Sequence, residues 1–267
     1  MNWLNLRNRT AKIRFQMYIE RLLKVYERRL YKNMSIYLRE QYRNIARKIR
    51  SGDLRIDQII YNNKEMYNML MNFYHSVAVF FAEKFSANFE RQRSKALFDV
   101  FWELYRSWAS IYCAREVTRI SKTTETRIKK LMEQGVVEKW SNWELSKQIF
   151  SLSEIESRIR ANTIAITETH NMASKTTHDM ATSEPSIREK EWFPANDERT
   201  REEHFVRDGK FITSGSPARI PVKDLFFVGG EYMRHPGDPS ASGKNIVRCR
   251  CTELFHTRRQ ADLQAAR

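Results

Sequence analysis

From Pro185 the chain reads PSIREKEWFPANDERTREEHFVRDGKFI (185–212), and the change of period within this stretch decides the fold class. Proline has no N–H to give a helix, so Pro185 stops the helical pattern that precedes it. Beyond it, Glu191–Trp192–Phe193–Pro194 reads as a short apolar strand ending in a turn. Residues Phe205 to Ile212 read as two short strands about Asp208–Gly209, the dipeptide that best matches a tight hairpin turn. Leu225 to Met233 repeats the device around Gly229–Gly230, and Asn245 to Phe255 reads as a last short strand before a basic tail.

Upstream the text is helical. No proline precedes Pro185, and only Gly52 and Gly135 interrupt the first 200 residues. The first helix is read from Leu4, Ile13, Met17, Leu22, Val25 and Leu30 at helical spacing, with Arg and Lys between them. Ser51–Gly52–Asp53 marks a turn. Two aromatic-rich helices follow, one carrying Met66, Leu70, Phe73, Val77, Phe80, Phe81 and Phe85, the other Phe98, Trp102, Tyr105, Trp108, Ile111 and Tyr112. Such stripes are read as the core of a helix bundle. Gly135 is expected to end this half. Helix-start signals then appear at Ser141–Trp143–Glu144 and at Ser153 with Glu156. A helix from Ser153 to about Thr182 is expected to turn Ile155, Ile159, Ile164, Ile166 and Met172 inward. The class is therefore α+β: a long N-terminal helical region, then a helix plus a small loop-rich antiparallel sheet domain. Residues 1–135 form the basic helical region, 136–255 the second domain, and 256–267 a basic tail.

Charge narrows the function. The formal net charge is +15, and residues 1–50 hold 14 Lys and Arg against Glu20, Glu27 and Glu40. Solvated faces usually mix signs, so this imbalance points to a polyanion or an acidic partner. The candidate contacts are Arg7, Arg9, Lys12, Arg14, Arg21, Lys24, Arg28, Arg29 and Lys32. No apolar run reaches the roughly 20 residues of a membrane span, and the N-terminus lacks a secretory apolar block, so mature, cytoplasmically made protein without a membrane partner is expected.

Three cysteines make no disulfide framework. Cys113 sits in an aromatic helical pattern and is read as a core residue. Residues 196–251 gather candidate metal ligands: Asp197, His204, Asp208, His235, Asp238, Cys249 and Cys251. A small, loop-rich sheet lacks apolar core, and a structural zinc would cross-link it. Cys-x-Cys is not the usual Cys-x-x-Cys knuckle, however. The alternative is two small residues facing the core, with the Asp and His side chains in turn and cap hydrogen bonds. The sequence leaves both open. Phosphate-loop, His-Glu-x-x-His and G-x-S-x-G patterns are absent from the sequence. Glu168–Thr169–His170 is read as lining the face that joins helix to sheet, and no catalytic residue is assigned.

From about Ile155 to Cys251 the chain resembles the phage head morphogenesis domain, the Mu F-like family of minor head proteins. The resemblance rests on Arg160–Ala161 and Ile166–Thr167–Glu168–Thr169, then Lys190–Glu191–Trp192. Asp197–Glu198–Arg199–Thr200–Arg201–Glu202–Glu203–His204 with Asp208–Gly209 follows, and Pro236–Gly237–Asp238–Pro239 and Cys249–Arg250–Cys251 close the series. Two departures stand out. Arg248 occupies a position usually held by Asn, and Arg201–Glu202–Glu203–His204 stands where many members carry Cys-x-x-Cys. The second leaves His204, Cys249 and Cys251, with Asp197, as the zinc set. The resemblance implies a low-copy virion protein of a tailed bacteriophage, made in the host bacterial cytoplasm and placed in the head interior. It implies association with the portal protein, with scaffold or major capsid protein as further partners, and effects on packaging or ejection. The basic region adds non-specific contact with double-stranded DNA. Competing readings are a metal-dependent nuclease or other enzyme acting on nucleic acid, a transferase toxin, and a DNA-binding regulator. An enzyme would need a further catalytic domain, for which the short segment after Cys251 leaves no room. A regulator would need a recognition helix and a dimer motif.

Overall fold

The computed structural model describes residues 3–6 and 8–257. Arg7 and residues 258–267, most of the expected tail, lie outside the described residues. Four long helices dominate: α1 (Arg9–Arg50), α3 (Lys64–Ser86), α4 (Arg91–Val137) and α5 (Asn142–Ser183), with the single turn α2 (Asp57–Ile60) between the first two. Seven short strands follow: β1 (Ile187–Phe193), β2 (Val206–Arg207), β3 (Lys210–Phe211), β4 (Arg219–Pro221), β5 (Phe226–Val228), β6 (Glu231–Met233) and β7 (Thr252–Thr257). A 3-10 turn (Glu202–His204) precedes β2, and the short helix α6 (Gly243–Ile246) precedes β7. The α+β class is as the sequence reads.

The chain forms two compact units that interleave along its length, whereas the division at residue 135 is a linear one. One unit comprises Met1–Tyr26, Ser76–Arg106 and Ile166–Arg267; the other comprises Glu27–His75 and Ser107–Ala165. Every long helix contributes residues to both.

The all-helical unit is organised around Tyr42, Ile45, Ile49, Ile56, Ile60, Ile128, Leu145 and Ile149. α1 ends in a Schellman turn: Gly52 has φ +86° and the Asp53 N–H donates to Lys48 O at 3.1 Å. α5 starts at a capping box, in which the Ser141 N–H donates to Glu144 at 2.7 Å and the Glu144 N–H to Ser141 Oγ at 3.2 Å. Arg160 is buried with no carboxylate partner among the described residues. Its guanidinium donates to Tyr42 Oη (3.1 Å), Thr124 Oγ1 (2.9 Å) and Ile120 O (2.8 Å), so one cation satisfies acceptors on α1 and α4. Cys113 is buried, with its sulfur 3.5 Å from Tyr67 O.

In the mixed unit β1 is the central strand of an antiparallel sheet ordered β4-β1-β7. Trp192 is fully buried, with its ring edge-on to Phe211 and Phe226, and anchors a core with Ile220, Val228, Met233, Ile246, Cys249 and Cys251. Both expected hairpins form. β2–β3 turns at Asp208 and Gly209 and β5–β6 at Gly229 and Gly230, all four residues with positive φ as a two-residue type I′ turn requires. Trp3 packs against Phe15, Phe81 and Phe85, and Phe85 in turn meets Phe255 on β7.

Several expectations are corrected. The buried stripe of α1 is Phe15, Ile19, Leu23, Leu30, Met34 and Leu38, spaced by four and seven, while Ile13, Met17 and Val25 are exposed. On α5 the seam is made of small side chains (Ser153, Ser157, Ala161, Ala165), so Ile155 and Ile159 face outward and Ile164 and Ile166 are half-buried. Ser153 lies inside α5 and bonds Phe150 O, so it caps nothing. Ile111 is exposed. α4 runs two residues past Gly135, and the reversal falls at Lys139, with φ +55°. The last strand starts only at Thr252, because α6 and a turn occupy 243–251; it continues through His256 and Thr257, beyond the expected end.

Candidate functional site

The segment 197–204 and the segment 245–251 are joined side chain by side chain. Asp197 opens a turn in which the Thr200 N–H donates to its carbonyl at 2.9 Å and the Arg199 N–H to its carboxylate at 3.1 Å. Arg250 then donates to both Asp197 carboxylate oxygens, at 2.6 and 2.7 Å. Burial pushes the Asp197 pKa upward, but the hydrogen bond and charge of Arg250 outweigh it and hold the group at about 2. Arg201 donates to Val247 O. His204, on the 3-10 turn, places Nδ1 at 3.8 Å from Cys249 Sγ and 3.5 Å from Cys251 Sγ.

All three of these residues are buried, and their ligand atoms lie within 4.8 Å of one another. A hydrogen bond from the Cys251 thiol draws Cys249 well below the ordinary thiol range; burial and the bond to Cys249 push Cys251 well above it. The expected fourth ligand, Asp197, is spent on Arg250 and is not among the converging groups. Asp208 is exposed in the β2–β3 turn, and Asp238 accepts the backbone N–H groups of Arg234 and Ser240. His235 packs instead on His178, with ring centroids 5.1 Å apart.

Helix α5 supplies the floor. Thr167, Glu168, Thr169, His170 and Asn171 are all buried, as expected of a face joining helix to sheet. The Arg248 N–H donates to Thr167 Oγ1 at 3.0 Å, and His170 Nε2 lies 2.8 Å from Cys251 O. Gly237 has φ +75°, and a Cβ there would fall 2.5 Å from Asn171 Oδ1 and 2.7 Å from His170 Nδ1. Glycine is therefore required both by conformation and by the approach of the loop to α5.

A second buried cluster was not legible in the sequence. His178 Nδ1 lies 3.1 Å from Glu253, whose carboxylate is 3.8 Å from the fully buried Lys190 ammonium. Lys190 also donates to Arg234 O and sits 4.7 Å over the Phe226 ring. Burial lifts Glu253 to about 7, despite Lys190, and drives His178 and His235 down to about 3 each. His178 and Glu253 are 75 residues apart, and no spacing rule connects them. His256 pairs with Glu191 at 3.0 Å.

The basic residues divide. Arg9, Arg14, Arg21, Lys24, Arg28, Arg29 and Lys32 are exposed on α1. Lys12 is not: it is half-buried in an ion pair with Glu191 at 2.5 Å. Arg7 lies outside the described residues. Arg9 also borders a groove of about 700 Å³ beside β1, with Arg207 and Arg219 on its lining. The sequence did not single out those two, which lie on β2 and β4.

Residues 126–254 match the model of the family described as phage Mu protein F like protein. This stretch of the chain is Mu F-like. No curated protein and no solved structure matches the chain. The Mu F-like motifs have a physical meaning here, because the Asp197–His204 and Cys249–Cys251 pieces bond one another, the second also bonds α5, and Gly237 of the Pro236–Asp238 piece lies close against α5. Arg248 stands where the resemblance leads to an expectation of Asn. Its φ is +56°, a left-handed conformation that Asn adopts far more readily than Arg.

Two outcomes are expected. Arg248→Asn raises stability by about 0.5 kcal/mol, the equivalent of a several-fold conformational preference, in a denaturant titration; a neutral or negative change contradicts it. Histidines buried neutral take protons only on unfolding, so the stability owed to His178 and His235 is complete above a pH of about 6.5 and declines as pH falls toward their folded values. Glu253, protonated in the fold below about 7, acts in the opposite sense, so the two histidines leave a net drop of the thermal midpoint between about pH 7 and 5, and His235→Gln flattens that drop.

Proposed function

We propose that the protein is a minor structural component of a tailed-phage head, assembled beside the portal and touching packaged DNA through the exposed basic face of α1. The observation that carries this reading is the Mu F-like match over residues 126–254. Head morphogenesis is the role attached to that family. The chemistry supports a structural rather than an enzymatic part. His178, Glu253, Lys190 and His235 are the groups best suited to acid–base work, and all are buried and bonded or packed into the core. The converging donors His204, Cys249 and Cys251 are soft and buried, unlike the oxygen-rich, open sites that suit phosphodiester hydrolysis. No described helix is long and apolar enough to cross a membrane, which fits a virion location in the head interior after synthesis in the host cytoplasm.

DNA contact follows from α1. Arg14, Arg21 and Lys24 are exposed, with 14 and 21 two helical turns apart on one face and Lys24 three residues on. They are cations that neutralise phosphates without reading bases. Portal, scaffold or major capsid protein would engage the remaining surface.

Heads purified from infected cells are expected to contain the chain, and heads lacking it contradict the proposal. Binding to random-sequence duplex tests the basic face. Each phosphate contact adds about 0.9 to the salt slope, so three contacts weaken binding about 40-fold over a fourfold rise in salt. The triple variant Arg14→Gln, Arg21→Gln, Lys24→Gln is expected to lose that dependence; an unchanged slope removes α1 from the interface.

A further inference from the structure

We propose that His204, Cys249 and Cys251 hold one structural zinc ion, these three being the donors that converge among the described residues. This inference stands apart from the head-assembly reading and rests on four observations.

The first is distance. Tetrahedral zinc with ordinary bond lengths sets nitrogen and sulfur ligands about 3.6 Å apart and two sulfurs about 3.8 Å apart. The two Nδ1–Sγ separations here are 3.5 and 3.8 Å, and all three ligand atoms fall within 4.8 Å. The site is thus already near the span of a coordination sphere.

Second, the histidine is oriented for it. Asn245 donates through Nδ2 to Glu231 and to Val228 O, which fixes its Oδ1 toward His204 Nε2 at 3.4 Å. A carbonyl oxygen only accepts, so Nε2 carries the proton and Nδ1 turns a lone pair to the two sulfurs. Metal-binding histidines commonly give their other ring N–H to a carbonyl or carboxylate. The chain Glu231–Asn245–His204 is such a support. Gly229 makes room for it: a Cβ there would lie 2.3 Å from Asn245 Oδ1.

Third, the donor set suits a soft divalent cation, and zinc is the redox-inert choice for a buried position. Fourth, the three ligands come from two segments that share no strand pairing: the 3-10 turn and the loop between α6 and β7. An ion there ties together parts of the unit that have little regular structure of their own.

The test uses the full chain expressed without added metal, measured for zinc content, then stripped with chelator and reloaded with Co(II). The expected results are about one equivalent of zinc, as for a tight structural site, and on reloading a thiolate-to-cobalt charge-transfer band with the intense visible bands of a tetrahedral ion. Cys249→Ser and Cys251→Ser each lose about half of the charge-transfer intensity, since one of two thiolates remains. Asn245→Ala keeps all three ligands but weakens zinc binding about 10- to 100-fold. In case the serine variants do not fold, thiol labelling of the unaltered chain supplies a second reading: both thiols of the pair are protected until chelator is added. Less than a tenth of an equivalent of zinc without cobalt uptake, or a Cys249–Cys251 disulfide in the purified protein, overturns the proposal.

Discussion

The ion pair between Asp197 and Arg250 is the contact on which the C-terminal module depends. Arg250 stands between Cys249 and Cys251, so binding Asp197 draws the whole tripeptide against the loop that ends in His204. Arg201 reinforces the join through Val247 O. From below, Thr167 and His170 on α5 take the backbone of Arg248 and Cys251. The ladder between β1 and β7 ends at the Phe193–Thr252 pair, so the loops beyond it get no ladder hydrogen bonds from these strands. Charge-assisted bonds to the backbone and between side chains do that work instead.

Much of this was legible and some was not, for reasons that differ by residue. The hairpins at Asp208–Gly209 and Gly229–Gly230 were legible because positive φ at two successive positions leaves few residue choices. Pro185 marked the end of α5 within two residues for a similar reason. On α1 large apolar residues occur on two faces, so size does not pick the inward one, and on α5 much of the inward face is small. Past Ile149, which is buried, the α5 seam is closed by Ser, Ala and Thr, and Ile155 and Ile159 face outward. The start of β7 is not legible in the sequence because α6, a single turn, is too short to show a period.

At the candidate site, His204, Cys249 and Cys251 were named from residue type and the Mu F-like pattern, and they converge. Asp197 was named for the same reason and serves a different partner. Asn245 and Glu231, which orient His204, lie 41 and 27 positions away from it, and neither belongs to a ligand class that draws notice. The buried His178–Glu253–Lys190 group escaped for the same reason, since a polar network closed by tertiary packing leaves no local signature. The two glycines pressed against polar side chains, Gly229 and Gly237, show how closely these loops approach their supports.

If the Asp197–Arg250 bond organises the module, its two ends must be energetically coupled, and a double-mutant cycle measures that coupling directly. Asp197→Asn, Arg250→Met and the double variant would be unfolded in denaturant at neutral pH. A coupling energy of about 1 kcal/mol or more is expected, because the pair is partly shielded and the partner left behind in each single variant loses its charge-assisted bonds. Additivity within about 0.3 kcal/mol would contradict the account and leave the join to the Arg201 bond, the α5 contacts and apolar packing.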